Sequence, residues 1–317
     1  RDGGARWIRP LASSNPWGGC LDAAYSRASS GRRYVLLGQN SLFGGVAVLN
    51  ADNTYKVVAG AAAGLPERNA TVGELGAVEV TTQADGTELV TVALGNGGVY
   101  VSRNGGESYR EVDPGLRAGE LVIDRDGGGR IYAAGAAGVA YSDDGNGFAL
   151  LSGSPRGAVR LTIDPISRRL YAAVWRSEDA GLWRYDGVSW TKILTEPTVH
   201  DVAVDPTDPQ HLLVATDWHG FRALSLVEAA SGKAQFLGAR GARFPDVSAT
   251  GAVVYEYANY QANLWRVDLG RPDAAPVALA PSTRYTSQPA YSPDGRRLAF
   301  SSNRDGSDAI FILEGEA

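Results

Sequence analysis

The chain has 317 residues, with 30 Lys plus Arg against 35 Asp plus Glu and a formal net charge of −5. At 44% hydrophobic and 21% charged residues it has the composition of a folded protein with a sizeable core, which excludes a disordered chain. No basic stripe is present for nucleic acid, no apolar run approaches the roughly 20 residues of a spanning helix, and one Cys with three His excludes a disulfide framework and a Cys-built zinc centre.

The chain contains no Met and begins at Arg1, so the native start is expected to lie outside this sequence. Taken in chain order, the first readable unit runs from Cys20 through Arg33–Leu37 and Gly45–Leu49 to Tyr55–Ala59. The second places strands at Ala77–Thr82 and Leu89–Leu94. A phrase then follows: Val99-Tyr100-Val101-Ser102, a turn at Asn104-Gly105-Gly106, and Tyr109. The phrase returns after strands at Glu120–Asp124 and Arg130–Ala134, as Val139-Ala140-Tyr141-Ser142 with Asp144-Gly145 and Phe148. It returns again after Val159–Asp164 and Arg169–Val174, as Leu182-Trp183-Arg184-Tyr185 with Asp186-Gly187 and Trp190. Asn-Gly and Asp-Gly supply the left-handed residues that tight hairpins require.

A weaker copy spans Val199–Asp205, Gln210–Thr216, Gly220–Leu226 and Lys233–Leu237. Further copies begin near Phe244 and Gln288. No segment sustains a 3.6-residue apolar period, so helix is expected to be scarce. Strand, turn, strand, Gly turn, strand, hairpin, strand, repeated about seven times at near 45 residues, predicts a single-domain, all-β, seven-bladed β-propeller of four-stranded antiparallel blades over 1–317. The last unit lacks an outer strand after Phe311–Leu313. Trp7-Ile8-Arg9-Pro10-Leu11 is the segment expected to supply it and close the ring.

Over about residues 20–238 the hairpins resemble Asp-box repeats, written roughly Ser-x-Asp-x-Gly-x-x-Trp. Ser102, Asn104, Gly106 and Tyr109 follow that pattern with Asn for Asp and Tyr for Trp; Asp186, Gly187 and Trp190 keep its end. Such repeats occur in sialidases, family 74 xyloglucanases, sortilin-like receptors and photosystem assembly factors, and they imply a fold rather than an activity. Over about residues 239–317, Gln288-Pro289-Ala290-Tyr291-Ser292-Pro293-Asp294-Gly295 and Asn303-Arg304-Asp305-Gly306 resemble the Pro-Asp repeats of TolB-type periplasmic propellers. Together these resemblances imply a location outside the cytoplasm.

In a propeller, the turns joining second to third strands share one face with the connections between blades. That places Asn40 and Phe43, Trp175 and Arg176, Trp218 and His219, and Tyr257, Asn259 and Tyr260 on one rim. Aromatics among Arg, His and Asn suit a sugar ring or a protein loop, or else pack between blades. Glu178, Asp179, Asp217 and His219 are the candidate catalytic groups of that rim. Asp22, Asp201 and Asp246, on first strands, are able to approach them, as a glycosidase's two carboxylates must. The equivalent bland reading has these acids capping turns or facing solvent. Asp143-Asp144-Gly145-Asn146 reads as a hairpin turn rather than a calcium loop.

The expectation is a non-catalytic module that binds a protein or a glycan, with no cofactor and no nucleic acid partner. A glycoside hydrolase using the same face and a rigid subunit of an envelope assembly are the alternatives.

Overall fold

The computed structural model describes residues 20–314 apart from 40, 74, 84, 176, 197, 218–221, 249, 258–261, 272 and 306–308. Five sheets have four strands each, laid down in chain order. The first is β1 (Cys20–Tyr25), β2 (Arg33–Gln39), β3 (Leu42–Leu49) and β4 (Tyr55–Val58). The second is β5 (Ala77–Thr82), β6 (Glu88–Ala93), β7 (Val99–Ser102) and β8 (Arg110–Asp113). The third is β9 (Ala118–Asp124), β10 (Arg130–Gly135), β11 (Gly138–Ser142) and β12 (Ala149–Leu150). The fourth is β13 (Ala158–Ile163), β14 (Leu170–Val174), β15 (Gly181–Tyr185) and β16 (Trp190–Leu194). The fifth is β17 (Val199–Val204), β18 (His211–Thr216), β19 (Ala223–Glu228) and β20 (Ala234–Arg240).

Three smaller sheets complete the described chain. They are β21 (Ala242–Val247) with β22 (Val253–Tyr257), β23 (Leu264–Arg266) with β24 (Val277–Leu279), and β25 (Thr286–Tyr291), β26 (Arg297–Ser302) and β27 (Ala309–Glu314). Where the repeat count predicts about seven units, eight sheets are therefore present among the described residues. All pairings within the sheets are antiparallel, and the architecture is all-β, a β-propeller arrangement. Among the described residues, helix is confined to two single 3-10 turns, Ala61–Ala63 and Gly95–Gly97. No helix there is long and apolar enough to cross a membrane.

Alternation explains the packing. Tyr34, Leu36, Val46 and Val48 point from the first sheet towards Val78, Val80, Val90 and Val92 of the second. The intervening residues Leu89 and Val101 point the other way, towards Leu121, Ile123 and Ile131 of the third. Strand β14 is buried on both faces, which is why Leu170–Val174 reads as a continuous apolar run. Further layers join the third sheet to the fourth and the fourth to the fifth. Sheet-on-sheet stacking thus makes a chain of cores, with the first strands of successive sheets side by side from β1 to β21.

The hairpins close as their residues require. Ser102 Oγ accepts from the Gly106 amide at 3.0 Å and Asn104 Oδ1 from the Ser108 amide at 3.0 Å, while Gly105 and Gly106 take φ of 70° and 81°. Tyr109 follows, buried in the layer between the first two sheets. Asp186 Oδ1 closes the corresponding turn of the fourth sheet on the amides of Val188 and Ser189, at 2.9 and 2.8 Å.

Candidate functional site

The axis of the array is lined by first strands, and these carry charge where an all-apolar strand would be expected. A register slip immediately precedes Asp22 in β1, Glu120 in β9, Arg160 in β13 and Asp201 in β17. An extra residue at the same place in four sheets re-aims the side chain that follows it. Arg160 Nη1 donates to Glu120 Oε2 at 2.6 Å, and Arg160 Nε lies 3.8 Å from Asp201 Oδ2. Asp22 Oδ2 accepts from the Val78 amide at 2.9 Å, and Glu79 pairs with Arg125. The Arg160 guanidinium also lies 5.2 Å from the ring centre of Phe244, whose backbone is left-handed at φ 50°.

Carboxylates outnumber cations in this lumen, and burial dominates their ionisation. Burial pushes Glu120 up to about 8 against the pull of Arg160, with Asp201 and Asp22 adding to the rise. Burial likewise pushes Glu79 up to about 7 and Asp201 up to about 6, and raises Asp22. These are the environments in which acids hold a proton near neutrality.

Above the lumen, at the end where second-to-third-strand turns and inter-sheet connections meet, lies a cavity of about 320 Å³. Its floor is small: eight of its twelve lining residues are Gly or Ala. Packing dictates this. A Cβ on Gly119 would press on the Leu75 side chain at 2.5 Å, and one on Gly135 would strike the Arg117 carbonyl. The larger lining residues are Leu75, Asn96, Arg117 and Trp175.

Trp175 also belongs to a second cluster. Its ring centre lies 4.6 Å from that of His200, with the planes at 58°. His200 Nε2 meets Asp217 Oδ2 at 2.7 Å. Because a carboxylate only accepts, that nitrogen carries the hydrogen. Arg222 Nε donates to Asp217 Oδ1 at 3.1 Å, and its Nη2 packs 2.9 to 3.2 Å from both ring nitrogens of His200. Burial acts to raise the Asp217 carboxyl, but the hydrogen bonds from His200 and Arg222 outweigh it and hold it below the usual carboxylate range.

Of the rim residues expected from sequence, Trp175 lines the cavity, and Tyr257 is exposed at the end of β22. Phe43 is not on the rim. It is fully buried between the first and second sheets, because β3 begins before it and Phe43 exchanges backbone bonds with Asn69 and Ala70. Glu178 is exposed; Asp179 Oδ2 accepts from the Arg156 amide at 2.9 Å. Asp217 is engaged by His200 and Arg222. Asn40, Arg176, Trp218, His219, Asn259 and Tyr260 lie outside the described residues, as does the N-terminal strand candidate.

Asp22 and Asp201 are brought to the lumen together. Glu79, Glu120, Arg125 and Arg160, which join them, were not singled out in the sequence; a charge at one offset in successive first strands was the available signal. No group of three or more His, Cys, Asp or Glu able to hold a metal occurs among the described residues.

No family model and no curated relative matches the chain. Solved structures do match it in fold. Hydrazine synthase of Kuenenia stuttgartiensis superposes with a TM-score of 0.57 at 13% identity over 98% of this chain and 99% of that one. The GH74 enzyme of Niastella koreensis gives 0.55 at 14% identity over 95% of this chain, which spans 58% of the enzyme's length. YCF48 from Cyanidioschyzon merolae gives 0.50 at 11% identity over 93% of this chain and 94% of that one. At such identities the likeness is one of fold.

Proposed function

We propose that the protein is a non-catalytic propeller module that captures a glycan or a protein partner in the cavity over its lumen. The observation that carries this reading is the lining: Trp175, Arg117 and Asn96 around a floor of Gly and Ala, with no Asp or Glu among the described lining residues. A concave site with few polar groups of this kind suits recognition. The test is a panel of immobilised oligosaccharides and peptides probed with wild type and Trp175→Ala. Capture lost on substitution, with the melting temperature kept within a few degrees, supports the reading; undiminished capture overturns it.

The hydrolase alternative draws on the lumen carboxyls that burial pushes up, Glu120 and Asp201. Cleavage of a bound oligosaccharide that disappears in Glu120→Gln would favour it. The platform alternative is favoured if capture depends on residues far from Trp175.

We read β21–β22 and β23–β24 as halves of one blade, giving seven, with residues 6–11 closing the ring beside β27. Two features support closure. Leu37, Ala47 and Leu49, on the face of the first sheet turned away from the second, are buried, and Ile310 and Ile312 of β27 are exposed. Deleting residues 1–12 is expected to lower the melting temperature by many degrees; an unchanged value removes the closure. The Ser102, Ser142 and Asp186 hairpins are read as Asp-box turns, and 289–307 as a TolB-type repeat. Location outside the cytoplasm, the corresponding expectation, is tested by cell fractionation.

A further inference from the structure

The cavity holds more than a shape, and the ligand class assigned to it here rests on the binding function proposed for this face. Its two long polar side chains are uncommitted. Among the described residues, neither the Arg117 guanidinium nor the Asn96 carboxamide has a hydrogen-bond or ion-pair partner. Arg117 is exposed and sits in the left-handed backbone region at φ 44°. An arginine is strained there, and glycine would hold the same turn without strain. The fold therefore gains nothing from arginine at this position, whereas an anion in the cavity would.

The remaining walls specify what carries that anion. Trp175 and Leu75 offer apolar surface, and Leu75 is 44% exposed. Indole faces pack on the C–H faces of saturated rings as well as on flat ones. The small side chains of the Gly and Ala floor let a ring approach the backbone closely. The volume of about 320 Å³ suits one substituted ring rather than an extended chain. A peptide ending in a free carboxylate would bring the anion without a ring for Trp175 to cover.

We propose that the cavity binds a carboxylated sugar ring, a uronic acid unit of a glycan. Arg117 pairs with the carboxylate, Trp175 covers the ring face, and Asn96 with the floor meets the hydroxyls. A planar guanidinium holds a carboxylate by two parallel bonds, which gives orientation as well as charge.

The experiment is calorimetric titration of the whole chain with three probes: a trimer of galacturonic acid, the neutral trimer of galactose, and a short peptide ending in a free carboxylate. Arg117→Gly is the informative variant, because it relieves the strained backbone and so keeps the fold. The acidic trimer is expected to bind at least tenfold tighter than the neutral one. Arg117→Gly should erase that preference, and Trp175→Ala should weaken both trimers at least tenfold. Equal binding of the two trimers, or a preference that survives Arg117→Gly, overturns the uronic acid assignment while Trp175-dependent capture still stands. Tightest binding of the peptide does the same. Failure of every probe to bind overturns the assignment, and only Trp175-independent capture in the panel overturns the face itself.

Discussion

Arg160 of the fourth sheet donates to Glu120 of the third at 2.6 Å, and its Nε lies 3.8 Å from Asp201 of the fifth. One guanidinium thus serves carboxylates from both neighbouring sheets. Arg160→Ala leaves those groups without a counter-charge in a partly buried lumen. Removing one partner of such a network costs about 3 kcal/mol, which for a chain of this size lowers the melting temperature by roughly 5–10 °C. The deficit should widen from pH 5 to pH 8, because the abandoned carboxyls must ionise at the higher pH. Calorimetry of wild type and variant at both values checks this; a deficit that narrows would place the pair outside the energetics of folding.

The lumen carboxyls also set a pH dependence in wild type. Glu120 at about 8, Glu79 at about 7 and Asp201 at about 6 all lie above the unfolded range near 4. Between these limits the native state binds more protons than the unfolded chain, so stability falls as pH rises. Their contribution is complete below about pH 4 and lost progressively through pH 8. Asp217, held low, acts oppositely but only on the acid side. Thermal unfolding should therefore occur at higher temperature at pH 5 than at pH 8.5, and Glu120→Gln should shrink the difference.

Two tyrosines in one layer should respond in opposite senses. The Tyr34 hydroxyl donates to Glu88 Oε2 at 2.8 Å, whereas the buried Tyr109 hydroxyl has no partner among the described residues. Tyr109→Phe removes an unsatisfied polar atom and is expected to stabilise by about 1 kcal/mol. Tyr34→Phe removes a bond to a buried carboxylate and is expected to cost about 1–2 kcal/mol. Denaturant midpoints of the two variants decide the matter.

Gly232, in the turn between β19 and β20, has φ 73°, and a Cβ there would run into the Ile193 carbonyl of the neighbouring sheet. Gly187 has φ 100° with open space around its Cβ position. Alanine at 187 meets only the backbone penalty, about 1 kcal/mol. Alanine at 232 must also push the fourth and fifth sheets apart and should destabilise by at least twice as much. Thermal unfolding of the two variants makes the comparison, and equal losses would show that the hairpin yields freely.

Strand positions were legible because their chemistry is local. Ala77–Thr82 matches β5, and Arg130–Ala134 matches β10 to within one residue, each bounded by Gly and Asx turns. Phe43 reads as a rim residue because a Gly-flanked aromatic after Asn40-Ser41 has the pattern of a loop. Only the tertiary bonds to Asn69 and Ala70 show that the strand has already begun. Asp22 and Asp201 were recognisable as first-strand acids, but Arg160, which lies 3.8 Å from Asp201 and acts on Asp22 through its charge, was not. Arg160 lies far from both along the chain, and its role depends on how the sheets stack. Arg117 and Asn96 carried no signal at all, since a cavity wall made from six separate chain segments has no sequence spacing.

Stacked repeats ordinarily unravel from an end, since losing a terminal unit breaks a single interface. The guanidinium of Arg160 opposes such fraying in the middle of the array, because releasing β9, β13 or β17 strands a charge in the sheets left behind. The third, fourth and fifth sheets are thereby bound into one cooperative block. Their backbone amides should exchange with deuterium through a common opening event, while the flanking sheets open earlier and separately.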